Sequence, residues 1–123
     1  MLKSLLFLCF GLTLVQASWS QETKMQCSLP LKPPKFPPAW TDSIRVSLRE
    51  EQGMISDHRH FHKGKPFVAV LTGVWVKNKD YTVEVMFLGK NDHPTEIWTQ
   101  KLRWNGEKTK VELSALKLEQ KFP

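Results

Sequence analysis

The segment Asp57-His58-Arg59-His60-Phe61-His62-Lys63-Gly64-Lys65 sets three imidazoles at alternate positions. In an extended chain successive side chains point to opposite faces, so His58, His60 and His62 would share one side. Two imidazoles on one side can meet a single metal ion at roughly 2.0–2.1 Å, and His93, in a later loop, or Asp57 would complete a zinc or copper site. Arg59, Lys63 and Lys65 work against that reading because they repel a dication. A solvated, mildly basic loop is one alternative. A pH-dependent contact is another, since histidine titrates near pH ~6.5 and the run gains up to three positive charges in an acidic compartment.

Asn105-Gly106 lies between two strand-like runs, 96–104 and 107–113. Asn-Gly is the pair that a type I′ turn favours, because both central residues need positive φ. With those two residues at the turn, Arg103 opposes Lys108 and Lys101 opposes Lys110. Lys101, Arg103, Lys108 and Lys110 then share one face of a hairpin, while Trp98, Leu102, Trp104, Val111 and Leu113 turn to the core. Like charges directly opposed across a ladder destabilise it by up to about 1 kcal/mol. Four of them in one place point to an anion-binding surface, against the plainer reading of a solvated face whose side chains splay apart. For a secreted chain the expected anion is a sulfated glycan; no nucleic-acid-reading module is present.

Tryptophan and cysteine are the remaining groups of interest. Trp75, Trp98 and Trp104 fall in apolar runs and read as buried, whereas Trp40 follows a proline stretch and suits a surface anchor. Cys9 lies in the N-terminal apolar run, which leaves Cys27 alone in the remainder of the chain. A single thiol in a polar segment and an oxidising compartment points to an interchain disulfide and a homodimer. Catalysis finds little support. Gly-x-Ser-x-Gly, His-Glu-x-x-His and phosphate-cradling glycine loops are absent, and Glu50-Glu51 are adjacent rather than opposed. The expectation is a binding protein and not an enzyme.

These groups must be held by some framework, and the chain's start says where it is made. Met1-Leu2-Lys3 precedes an apolar run from Leu5 to Val15 and small residues around Ala17. That pattern is a signal peptide over 1–17, with about 11 apolar residues where a spanning helix takes about 20. No later stretch approaches membrane length. Secretion and an extracellular location follow as expectations. The formal charge of +6 becomes +5 once Lys3 leaves (6 − 1), a surplus that favours acidic partners such as a glycan or a protein face.

Residues 18–40 read as a polar and proline-rich lead-in, with five of the eight prolines between 29 and 40. Proline has no N–H and a fixed φ, so that stretch cannot be a helix or a central strand. From 41 to 123 the pattern changes to a single β domain. Ile44, Val46 and Leu48 alternate with polar residues, as do Tyr81, Val83, Val85 and Phe87, while 66–76 is almost continuously apolar, as in a strand covered on both faces. The tail from Ser114 to Lys121 fits either a strand or a short helix. Five or six strands with short turns and no helical period predict an all-β fold, a small antiparallel β-sandwich, with a β-barrel as the alternative.

Overall fold

The computed structural model describes residues 22–30, 36–49 and 55–123. The expected signal peptide over 1–17 lies outside the described residues, as do 31–35 of the proline-rich stretch. Eight strands appear among the described residues: β1 (Thr23–Ser28), β2 (Ser43–Arg49), β3 (Ile55–His60), β4 (Val68–Gly73), β5 (Asp80–Leu88), β6 (Pro94–Arg103), β7 (Lys110–Glu112) and β8 (Lys117–Lys121). The only helical turn among them is a 3-10 turn at Lys90–Asp92. No helix among the described residues is long and apolar enough to cross a membrane.

Alternation selects the strands and then their pairing. In β2, Ile44, Val46 and Leu48 are fully buried, and in β5 so are Val83, Val85 and Phe87. The two strands pair antiparallel with Ile44 beside Phe87, Val46 beside Val85 and Leu48 beside Val83. Paired residues share a face, and a slip of one residue would turn every one of these side chains to water, so burial pins the register. β3 joins the far edge of β2, β6 joins β5 and β8 joins β6, giving a five-stranded sheet in the order β3-β2-β5-β6-β8. A three-stranded sheet runs β4-β1-β7. Both contribute to one core, with Met25, Cys27 and Leu71 from the smaller sheet packed against Val46, Val85 and Phe87 from the larger. The fold is therefore all-β in two sheets that do not close into a barrel, an arrangement consistent with a sandwich.

Four features differ from the sequence expectation. The segment 18–28 is not all lead-in: Thr23–Ser28 forms β1, the central strand of the smaller sheet, with Met25 and Cys27 inward and Lys24 and Gln26 outward. The run 66–76 is not covered on both faces, because β4 is an edge strand that buries only alternate residues and leaves Val68 exposed. The tail forms a strand, β8, on the free edge of β6. The fourth concerns the Asn105-Gly106 bend.

The runs on either side of Asn105-Gly106 do not pair. β6 belongs to the five-stranded sheet, and β7 pairs with β1 in the other sheet, parallel rather than antiparallel. Gly106 has φ 91°, but Asn105 is not in the left-handed region, so the type I′ geometry is absent. Instead the Asn105 side-chain oxygen accepts from the backbone N–H of Glu107 and of Lys108, both at 2.9 Å. The Trp104 indole donates to the Lys108 carbonyl at 2.8 Å, which closes the bend into a crossover between sheets.

Aromatic rings fill the two ends of the core. Phe36 stacks on Phe87 at 5.8 Å between centroids and meets Trp98 edge-on at 4.6 Å. At the opposite end Trp75 meets Tyr81 at 5.0 Å and Trp104 at 6.2 Å. Offset and edge-on pairs of this kind are favoured by the ring quadrupoles. Trp40, by contrast, is 45% exposed, as its position after the prolines suggested.

Candidate ligand-binding cavity

β3 presents two chemistries on its two faces. Ile55, Asp57 and Arg59 pair with the inward residues Leu48, Val46 and Ile44, whereas His58 and His60 pair with Arg45 and Ser43 on the outer face. Asp57 thus points away from the imidazoles. Its Oδ2 accepts from the Val70 backbone N–H at 2.8 Å and from Arg59 Nε at 3.0 Å, tying the edge of the larger sheet to β4. At the same corner Gly73 leaves room for the Ile55 side chain, which would collide with any Cβ there. Asp57→Ala would orphan the Val70 N–H. We expect it to lower unfolding free energy by about 1–3 kcal/mol, read from urea denaturation.

The histidines converge on a cavity at one end of the molecule. Its volume is about 590 Å³, and its walls include Thr41 and Asp42, His58, His60, His62 and Lys63, and Asn91 and Asp92. Three separate segments therefore build it. Asn91 and Asp92 reach it because both adopt positive φ, 58° and 54°, which these two residue types tolerate better than most. The Asp92 carboxylate accepts from the Ser43 hydroxyl at 3.1 Å and lies 3.7 Å from His58 Nε2. The Phe61 N–H donates to the Asp42 carbonyl at 2.9 Å, which seats the 61–65 turn beside the start of β2. Thr41 is 2% exposed, and its hydroxyl has no hydrogen-bond partner.

The ligands expected to complete a zinc or copper site are not drawn together here. Among the described residues no group of three or more His, Cys, Asp or Glu side chains is placed to hold a metal ion. Asp57 faces the other way, and His93 is not in the cavity wall; its carbonyl accepts from the Gly89 N–H at 2.9 Å. A catalytic triad does not form either. Ser43, Asp92 and His58 are neighbours, but the hydroxyl donates to the carboxylate rather than the imidazole, and Ser43 is 1% exposed. A nucleophile needs the base in hydrogen-bond reach and an open path to substrate.

The four cations of the expected hairpin are all exposed but do not share a face. Lys101 and Arg103 pair with Thr82 and Asp80, on the outer side of the five-stranded sheet. Lys110 pairs with Gln26, on the outer side of the three-stranded sheet, and Lys108 lies in the crossover between them. Arg103 has Asp80 at 3.6 Å, a solvent-exposed pair of the kind that contributes little.

Cys27 is not at the surface. It is 0% exposed on the inner face of β1, and burial pushes its thiol up to about 11. An interchain disulfide through Cys27 would require the core between the two sheets to open.

His58, His60 and His62 drew attention in the sequence, whereas Thr41, Asp42 and Asp92 did not. Asn91-Asp92 carried a turn signal, but nothing local links that turn to a strand more than thirty residues earlier. No protein-family model, curated protein or solved structure matches this chain.

Proposed function

We propose that this chain is a secreted, non-enzymatic binding protein for an acidic extracellular partner, such as a sulfated glycan, that it engages at the histidine-lined cavity. The observation that carries the reading is the convergence of His58, His60, His62 and Lys63 on one cavity wall. Ionised or protonated nitrogen donors are strong partners for carboxylate and sulfate oxygens. The formal charge of +5 that remains once Lys3 leaves (6 − 1) supports it by drawing a polyanion in from a distance. Lys101, Arg103, Lys108 and Lys110 act in that long-range role rather than as one contact surface.

Immobilised heparin tests this. Retention should fall steeply as salt rises from about 0.1 M to about 1 M, because the screening length contracts from ~10 Å to ~3 Å. The triple variant His58→Ala, His60→Ala, His62→Ala should elute earlier than the parent at matched salt. Glutamine at Lys101, Arg103, Lys108 and Lys110 should flatten the salt dependence. Passage of the parent through the column without retention at low salt would overturn the proposal.

A further inference from the structure

A second cavity adjoins the first. It has a volume of about 230 Å³, and His60, Phe61 and His62 line both. Its remaining wall brings Arg59 and Lys65 to the same ridge. The larger cavity is of the size that takes small ligands, while the smaller falls below that range and suits an adjoining subsite.

The donors and acceptors are divided in a way that selects the ligand. Asp42, Asp92 and Asn91 supply carboxylate and amide oxygens to the larger cavity, and such groups accept hydrogen bonds from ligand hydroxyls. A phosphate backbone or an acidic peptide brings few hydroxyls to meet those oxygens. His60, His62 and Lys63 supply donors for an anionic group, and Arg59 and Lys65 supply donors for another one subsite further on. Phe61, shared by the two cavities, offers an apolar surface against which a sugar ring can lie.

We infer that the two cavities are consecutive subsites for a linear anionic saccharide. One unit sits among Asp42, Asn91 and Asp92, and the next lies across the His60–His62 ridge toward Arg59 and Lys65. The inference rests on the binding role proposed above and adds the ligand's repeat structure: hydroxyls in the first subsite and an anionic group on either side of the ridge.

A size-defined heparin tetrasaccharide, titrated calorimetrically into the full chain, tests it. One-to-one binding is expected. His60→Ala with His62→Ala should weaken it about tenfold or more, the scale of one lost charge-assisted hydrogen bond. Asp42→Ala, which removes an acceptor for a ligand hydroxyl at an exposed position, should weaken binding several-fold while leaving the fold intact by circular dichroism. Glutamine at Lys101, Arg103, Lys108 and Lys110 should leave tetrasaccharide stoichiometry unchanged.

Heparin-column retention without tetrasaccharide binding would overturn this inference and leave the binding role standing; loss of both would end both. Equal or tighter binding of a polyglutamate or polyphosphate of matched charge would overturn the saccharide assignment. Unchanged affinity in both the His60/His62 and Asp42 variants would overturn the location.

Discussion

Replacing Phe87 by alanine is expected to remove about 3–5 kcal/mol of unfolding free energy, the range for deleting a fully buried aromatic ring. Phe87 is 0% exposed near the end of β5, the central strand of the five-stranded sheet, and Phe36 stacks on it from the proline-rich side. Its loss therefore leaves a void that two strands and a loop cannot all close. Domains of this size have only about 5–15 kcal/mol in total, so the variant should approach marginal stability at ordinary temperature. Urea denaturation with an unchanged m-value is the measurement. Thr82→Ala, on the outer face of the same strand, should stay within about 0.5 kcal/mol. A loss below about 1 kcal/mol for Phe87→Ala would mean that the two sheets do not close over that ring.

The second large effect belongs to Cys27 and is read against pH. Burial raises the folded thiol to about 11, against 9.0 for the free group. The folded state therefore holds the proton over a window in which the unfolded chain has released it. Its stabilising contribution is complete below pH ~9 and is lost as pH rises through ~11, amounting to about 2–3 kcal/mol. Cys27→Ala removes the titration, so the stability difference between parent and variant should shrink by that amount across the window. The same burial predicts that an aromatic disulfide reagent at neutral pH finds no reactive Cys27 in the folded protein and finds one after unfolding, because only an exposed thiolate attacks. A reductant-sensitive dimer on non-reducing gels would contradict the buried position.

The parts of the fold that could be read in advance share one property: their strands carry enough alternating apolar residues to declare a face without help. Ile44, Val46 and Leu48 do so in β2, and Tyr81, Val83, Val85 and Phe87 do so in β5. β1 offers only Met25 and Cys27 against Lys24 and Gln26, too short a pattern to separate from a polar tail until β4 and β7 flank it. The bend at Asn105-Gly106 failed for a different reason. An Asn-Gly pair serves several tight geometries, and the choice falls to partners far away in sequence. β5 and β8 take both edges of β6, so no edge is left for the run after the bend, which must find its neighbour in the other sheet.

The candidate site divides along the same line. The spacing of His58 and His60 put them on one face of an extended segment, and β3 holds them so. Their companions Thr41, Asp42 and Asp92 come from two other segments, and only the β2–β3 pairing and the left-handed turn at Asn91-Asp92 bring them together. Asp57 sits beside His58 in sequence, yet alternation gives it to the opposite face and to Val70.

The position of β1 constrains when this molecule can mature. Residues 23–28 sit between partners drawn from 68–73 and 110–112, so the smaller sheet is incomplete until residue 112 has been synthesised. Pairings that distant in sequence make for slow assembly, on the scale of milliseconds to seconds. During biosynthesis the early strand must wait, its Met25 and Cys27 uncovered, until both of those distant partners have emerged.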